Sequence, residues 1–447
     1  MPTTVLWFRR DLRIGDHPAL EAAAREGPVV GLFVVDPQLW EGAGAARRAW
    51  VAASVLALQE ATGGRLVLRL GDPAEVVPEV ASGVGAANVH VTAEATPYSR
   101  ARDARVATAL AEHGITGRPG GTPYAVAPGT VRTKQGGPYQ VFTPFARAWR
   151  EHGWESPRPE PDVEWASADS DPDATDLLAA ALASAPAGMP EAGEWAAVRR
   201  WQDFLEDGVQ DYDTARDAPA ADRTSRLSPY LKIGAIHPRR LLADLEGHSG
   251  DGAARFATEL AWREFYADVL WHHPESAWGD LRRLAIRYDD PGDALEAWRA
   301  GRTGFPLVDA GMRQLLHEGW MHNRVRMIAA SFLTKDLHTW WPVGARHFLD
   351  HLVDGDLASN NHGWQWVAGT GTDAAPYFRV FNPVTQGKKF DPDGDYVRRW
   401  VPELAHLPGS AAHEPWRHPD GYAHGYPARL VDHDAERRVA LDRYSTR

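Results

Sequence analysis

The chain has 447 residues, a formal net charge of -12 and no cysteine. That length exceeds what one hydrophobic core usually organises and so calls for two, while the missing thiols exclude a disulfide framework, a thiolate metal site and a cysteine nucleophile. The acidic balance excludes attraction to nucleic acid over the whole surface, because phosphate affinity comes from neutralising charge and releasing counterions; only a local cleft lined by a few arginines could bind it.

The first apolar run, Val5 to Phe8, stops at Arg9, Arg10, Asp11 and Arg13, which is too short and wrongly flanked for a signal peptide. No later run is long enough to cross a membrane, so a cytoplasmic protein with no membrane partner is expected. Val5 to Phe8, Val29 to Val35, Leu66 to Leu70 and Asn88 to Thr92 read as buried strands, and Arg47 to Ala61 and Arg100 to His113 as amphipathic helices between and after them. The alternation predicts an α/β domain with a parallel, doubly wound sheet over residues 1–126. No G-x-G-x-x-G follows the first strand, so the usual dinucleotide fingerprint is missing. Residues 127–194 read as an interdomain linker, its second half rich in Pro, Ala, Asp and Ser with little periodicity. Beyond Trp195 strand signals nearly vanish, and helical spacing runs through Phe256 to Leu270, Gly311 to Leu337 and Arg346 to Leu357, predicting a larger all-helical domain over 195–447.

Chemistry concentrates where carboxylates, amides and tryptophans crowd together, in Asp354-Gly355-Asp356-Leu-Ala-Ser-Asn360-Asn361-His-Gly-Trp364-Gln-Trp366. A lone pair of aspartates here would more often cap a helix than bind a ligand. A calcium loop fits worse, since the glycine and closing glutamate of an EF-hand are missing. On the segment Ala257 to His272, Glu259, Trp262, Arg263 and Tyr266 fall three or four apart and share one face. A face so mixed in polar and aromatic groups is a poor core. Asn323, Arg326 and Met327 share a face in the same way, with Arg324 pointing aside.

With Gly369-Thr-Gly-Thr-Asp373-Ala-Ala-Pro-Tyr-Phe-Arg379-Val-Phe-Asn382-Pro added, the sequence resembles the photolyase/cryptochrome family, and within it the class I cyclobutane-dimer photolyases. The resemblance runs from Trp7-Phe-Arg-Arg-Asp-Leu-Arg13 to His413-Glu-Pro-Trp416. It implies FAD in a folded conformation within the helical domain, and UV-damaged DNA, single- or double-stranded, as partner, its cyclobutane dimer flipped into a pocket. Thr224, Ser225, Arg226, Leu227 and Ser228 would form the loop that holds the FAD pyrophosphate, at a helix N-terminus. Tyr212, Arg263, Asn323, Arg326, Asp354, Gly355, Asp356 and Asn360 would contact the cofactor, with Arg326 paired to Asp354 beneath the ring and Asn360 facing its N5. Trp262 would stack on the dimer, and Glu259 would hydrogen-bond a thymine edge and stabilise the radical anion. Tyr266, Asn323, Met327, Trp366 and Gln386 would complete the dimer site, while Arg216, Arg324 and Arg379 would meet DNA phosphate. No metal is implied.

Two features depart from the family pattern. Photoreduction through three tryptophans would use Trp364 and Trp341, but the third position holds Tyr288, so Tyr288 or a neighbour such as Trp340 is expected to end the relay. Val35-Asp36-Pro37, Gly71-Asp72-Pro73 and Pro97-Tyr98-Ser99-Arg100-Ala-Arg-Asp103 resemble the branch with an 8-hydroxy-5-deazaflavin antenna more than the one with methenyltetrahydrofolate, and Glu94 is a candidate ligand or a structural residue at a strand end. A cryptochrome-type photoreceptor is the competing function, disfavoured by the intact set Glu259, Trp262, Met327 and Trp366 and by the short stretch after Trp416. A (6-4) photolyase would be expected to carry histidines at Asn323 and Met327. An ordinary flavin oxidoreductase would need a nicotinamide or substrate site that the sequence does not offer. A monomer is expected.

Overall fold

The computed structural model describes residues 2–373 and 379–445. Strands β1 (Thr4–Phe8), β2 (Val29–Val35), β3 (Val67–Leu70), β4 (Asn88–Val91) and β5 (Thr116–Pro119) form one parallel sheet in the order β3-β2-β1-β4-β5. The first four are those expected, within a residue. The fifth carries no apolar signal, since Thr116, Gly117, Arg118 and Pro119 are all exposed at the sheet edge, which is why periodicity missed it. In β1, Val5 and Trp7 face one apolar layer while Leu6 and Phe8 face another, as two-residue alternation between helices on both faces requires.

Helices α1 (Ala45–Ala61) and α2 (Pro97–Glu112) belong to these layers. The stretch between the expected domains is not an extended connection. It contains α3 (Phe142–His152) and α4 (Pro172–Leu182), and Trp165 forms a parallel bridge with Val29, so the chain turns back onto the first sheet. Helix α3 buries Phe142, Phe145, Ala146 and Trp149 at helical spacing, whereas α4 is short and alanine-rich and shows only a weak apolar face.

The helical body is built from α5 (Ser228–Ile233), α6 (Asp251–His272), α7 (Pro306–Glu318), α8 (Asn323–Ser331), α9 (Trp341–His351), α10 (Leu357–Ala368) and α11 (Pro383–Phe390), among other helices. Helix α6 buries Phe256, Leu260 and Phe265 and ends just before His273-Pro274, as the steric clash ahead of proline dictates. The apolar runs from Gly311 to Leu337 and from Arg346 to Leu357 are not continuous helices. Gly319, at φ +67, terminates α7, and His322 caps a new helix with its ring. A single π turn then spans Phe332–Asp336. Helix α9 ends at His351, so Leu352 to Asp356 is free to turn into the site.

One apolar cluster runs from Leu6 and Phe8 through Trp50 to Leu260 and Phe265, so the sheet layer and the first helices share a core. A second, around Trp298, Phe332, Trp341 and Trp364, lies within the helical body. Hydrogen bonds join the two parts directly: Leu12 N–H donates to Ile233 O at 3.1 Å, and the Arg13 side chain, through Nη1, to Gly234 O at 2.9 Å. Gly234 sits at φ +72, and a Cβ there would lie 2.1 Å from Arg10 O, so this junction tolerates only glycine.

Candidate functional site

A cavity of about 610 Å3 opens between α5, α6, α8, α10 and the turn before α10. Its walls carry Tyr212, Ser225, Leu227, Ser228, Glu259, Trp262, Arg263, Tyr266, Asn323, Arg324, Arg326, Met327, Asp354, Gly355, Asp356, Asn360, Trp364, Trp366 and Arg379, with Arg216 and Arg255 at its edge. Most of the candidate residues thus converge, although they come from six separate segments. Residues 374–378 of the Gly369 to Pro383 motif lie outside the described residues.

The polar floor is Asp354, whose Oδ2 accepts from Ser228 Oγ at 2.6 Å and Arg326 Nη2 at 2.8 Å. Arg326 is itself held by Met321 O at 2.7 Å. The other oxygen, Asp354 Oδ1, is buried without a hydrogen-bond partner. A buried unpaired acceptor beside a cation costs stability unless a ligand donor meets it. Asp356 does two jobs: Oδ1 caps α10 by accepting from Ser359 N at 3.0 Å, while Oδ2 accepts from Arg10 Nη2 at 2.8 Å. Burial alone would raise its pKa, but Arg10 and Lys232 overcome that and hold it well below the carboxylate range. Asn360 Nδ2 donates to Ala345 O and Asn361 Oδ1, fixing the amide. Arg263 spends its donors on Pro123 O and Leu231 O, both at 3.1 Å, so it braces the wall with its guanidinium.

Several candidates are placed differently from expectation. Ser228 opens α5 but its hydroxyl is taken by Asp354. Arg226 turns away from the cavity to Asp222 and Glu318 and lies over the Trp320 ring. Thr224 does not line the cavity, though its Oγ1 is buried and unpartnered. Gln386 stands on α11, outside the lining. Arg216, expected on phosphate, pairs with Glu259, which Arg255 also meets at 3.2 Å; Arg324 pairs with Asp217 at 2.8 Å.

Trp364 and Trp341 are buried, 3% and 0% exposed, in the second core. Trp341 Nε1 donates to Asp280 at 2.7 Å and Trp340 Nε1 reaches the same oxygen at 3.3 Å. The rings of Trp340 and Trp341 lie 6.5 Å apart, and Trp340 is 39% exposed. Tyr288 is half-buried, with no partner for its hydroxyl; burial, then Asp280, pushes its phenol pKa up.

A second cavity, of about 580 Å3, lies between the sheet and the helical body at the C-terminal ends of β1, β2 and β4, where the strand order reverses. Asp36, Pro73, Glu94 and Tyr98 line it with Arg9, Arg10, Arg47, Arg48, Arg102 and Lys232. Glu94 is ion-paired: Arg102 at 3.1 Å and Arg9 at 3.4 Å hold it, and although burial opposes ionisation these cations bring its pKa to about 2. Lys232 and Gly355 line both cavities. Burial and then Arg10 lower the Lys232 pKa to about 7, with Asp356 opposing. Sequence reasoning assigned no role to Arg10, Lys232 or Arg255. Arg10 sits inside the Trp7 to Arg13 motif; Lys232 gives no signal because its partner Asp356 is distant in sequence, whereas Arg255 stands one helical turn before Glu259 and is legible from that spacing.

Among the described residues no group of three or more His, Asp or Glu side chains is placed to hold a metal ion, and no helix is long and apolar enough to cross a membrane.

A parallel sheet joined through a shared core to a helical body with a polar-aromatic cavity of about 610 Å3 defines a two-part, ligand-binding class of protein. Known proteins agree in detail. The profile described as the FAD binding domain of DNA photolyase matches residues 256–446, and that described as DNA photolyase matches residues 4–162. The deoxyribodipyrimidine photo-lyase of Streptomyces griseus is 42% identical, over 99% of this chain and 99% of its own. That of Escherichia coli K12 is 38% identical, over 99% and 98%. A crystal structure of a bacterial class III photolyase from Agrobacterium tumefaciens superposes with a TM-score of 0.90 at 38% identity, covering 100% of this chain and 98% of that one. A cryptochrome from Synechocystis sp. PCC6803 superposes equally, TM-score 0.90, at 27% identity over 99% of each chain. The chain belongs to the DNA photolyase family, and its helical body is an FAD-binding domain.

Proposed function

We propose that this protein repairs cyclobutane pyrimidine dimers in DNA by light-driven electron transfer, as a class I photolyase. The observation that carries the proposal is one cavity in which an orphaned, buried Asp354 oxygen beside Arg326 faces the same space as the apolar faces of Trp262, Met327 and Trp366. The first half suits the hydrogen-bond donors of a flavin ring, and the second suits a pair of unstacked bases. Reduced FAD, held by residues such as Asp354, Asp356 and Asn360, would supply light-driven one-electron chemistry at the dimer. Every other contribution is the protein's. Asp354, Asp356 and Asn360 orient the cofactor, with Tyr212, Ser225, Leu227 and Ser228 along its length. Trp262, Tyr266, Met327 and Trp366 exclude water and hold the dimer at contact distance, so that proximity and orientation do the catalytic work. Glu259, paired with Arg216 and Arg255 through Oε1, would accept from a base N–H. Arg379 and Arg324 would meet the flanking phosphates.

The second cavity supports an antenna that is planar and anionic, since cations outnumber acids along its walls. Of the two chromophores considered, 8-hydroxy-5-deazaflavin is favoured over methenyltetrahydrofolate. For the photoreduction relay, contact with Trp341 and exposure favour Trp340 over Tyr288 as its outer end.

The test is to irradiate dimer-containing DNA with FAD-loaded, reduced protein and measure restored thymines. Repair should require light and fall steeply in Glu259→Ala and Trp262→Ala. Flavin binding with no light-dependent repair would overturn the function and favour the photoreceptor alternative, which the cryptochrome likeness keeps in view.

A further inference from the structure

We propose that Phe142 is a positioning residue for base recognition: it backs Trp262 with a parallel stack and so fixes the plane on which the flipped pyrimidines dock. The proposal rests on the reading of Trp262 as the base-stacking platform. Its basis is that a residue of the segment expected as linker reaches the site at all. The Phe142 and Trp262 rings lie 3.7 Å apart between centroids at an interplanar angle of 6°. Phe142 is buried, whereas Trp262 is half-buried and lines the cavity. One face of the indole is therefore covered by protein while the residue still contributes to the cavity wall.

The arrangement is held from several sides. Phe265, fully buried, meets the Trp262 ring edge-on at 5.8 Å and 72°, and meets Phe142 at 5.9 Å and 67°. Tyr266 tilts against Trp262 at 5.4 Å. Phe142 is the first residue of α3, and its backbone N–H donates to Asp373 Oδ2 at 3.2 Å. Next to it, the Thr372 hydroxyl donates to Gln140 O at 2.5 Å. Further along α3, Trp149 Nε1 donates to Glu264 Oε2 at 2.5 Å, fastening the helix to α6, which carries Trp262. The stack is thus clamped between α6 and the loop that follows α10.

Two parallel rings directly face to face are not what aromatic quadrupoles prefer on their own; offset and edge-on pairs are better. The clamp, rather than the pair's own attraction, sets the geometry. Its consequence is preorganisation. An indole free to change rotamer must lose that freedom when a base stacks on it, and immobilising a side chain on binding costs affinity. With Phe142 behind it, Trp262 has lost the freedom already, on folding.

The experiment compares Phe142→Leu, Trp262→Ala and the double variant, each FAD-loaded, for binding of a dimer-containing and an undamaged oligonucleotide. Flavin content and thermal midpoint serve as controls, and Phe142→Met substitutes if the leucine variant does not retain FAD. Leucine keeps the apolar volume but not the flat face. From the worth of an aromatic pair, Phe142→Leu is expected to weaken dimer binding about two- to ten-fold. Binding of undamaged DNA and the repair rate at saturating dimer should be unchanged. In the Trp262→Ala background the same substitution should add nothing, because it acts through the indole. Unaltered dimer affinity in Phe142→Leu, or an equal loss in both backgrounds, would overturn the inference. If Trp262→Ala itself binds dimers normally, the platform reading fails first and the inference falls with it.

Discussion

At Asp354, one oxygen is satisfied twice over and the other not at all. That asymmetry predicts how the residue fails. Asp354→Asn keeps the shape but removes the counter-charge of Arg326 and one acceptor; a hydrogen bond to a charged group contributes about 1.5–3 kcal/mol, so FAD should bind at least ten-fold more weakly, as read by flavin retained on dialysis. Tyr288 has no acceptor for its phenol proton in the structure, and burial holds that proton on. Loss of an electron from a neutral tyrosine is favourable only if the proton leaves too. Tyr288→Phe should therefore leave the rate of light-driven flavin reduction by an external reductant nearly unchanged, whereas Trp340→Phe should slow it several-fold. The opposite ranking would restore Tyr288 as the end of the relay.

Among the elements, α8 has a terminus under acid control, as do the helices that the His17 and His237 rings cap. Its N-cap is the His322 ring, with Nδ1 accepting from Arg324 N at 3.2 Å, a bond that requires the nitrogen unprotonated. Burial first, then Arg326, Arg324 and Arg226, lower the His322 pKa to about 4, while Asp217 opposes. Because the folded value lies below the unfolded one, this group's contribution is complete above pH 6.5 and is lost as pH falls toward 4. The loss amounts to about 3 kcal/mol at most. His322→Asn keeps a good cap without the titration. Urea unfolding at pH 7 and pH 5 should then show a smaller acid penalty in the variant than in the parent; equal penalties would show that His322 does not titrate in this range. Helices α9 and α10 depend on a different device, since a Cβ at Gly344 would lie 2.2 Å from the Trp364 ring. Close approach there is what lets Trp364 lie between the cavity and the second core.

For the molecule as a whole, the joined core and the hydrogen bonds at Ile233 and Gly234 tie the sheet layer to the helical body. We therefore expect the division at 126 and 194 to mark the order of elements along the chain and not two units that fold independently. A protease cut between α4 and the next helix, at Glu194–Asp207, should leave both fragments associated in gel filtration, and thermal unfolding followed by circular dichroism and by tryptophan fluorescence should coincide. Release of a folded sheet fragment would contradict this. The same union explains why two cavities share Lys232 and Gly355 as a partition.

Local pattern carried much of this into view. Four parallel strands were legible because buried parallel strands are continuous apolar runs, and the shared face of Glu259, Trp262, Arg263 and Tyr266 followed from helical spacing alone. The Asp354 to Trp366 stretch stood out because so many polar groups in so few residues cannot all be capping one helix. What spacing could not supply was anything held by partners remote in the chain. Arg10 reaches Asp356 across 346 positions, and Thr372 reaches Gln140 across 232. The pairing of Arg216 with Glu259 and the stack of Phe142 on Trp262 depend likewise on how the elements pack, whereas the break at Gly319 is a local glycine cap. Periodicity reports the face a residue occupies; only packing decides what that face meets.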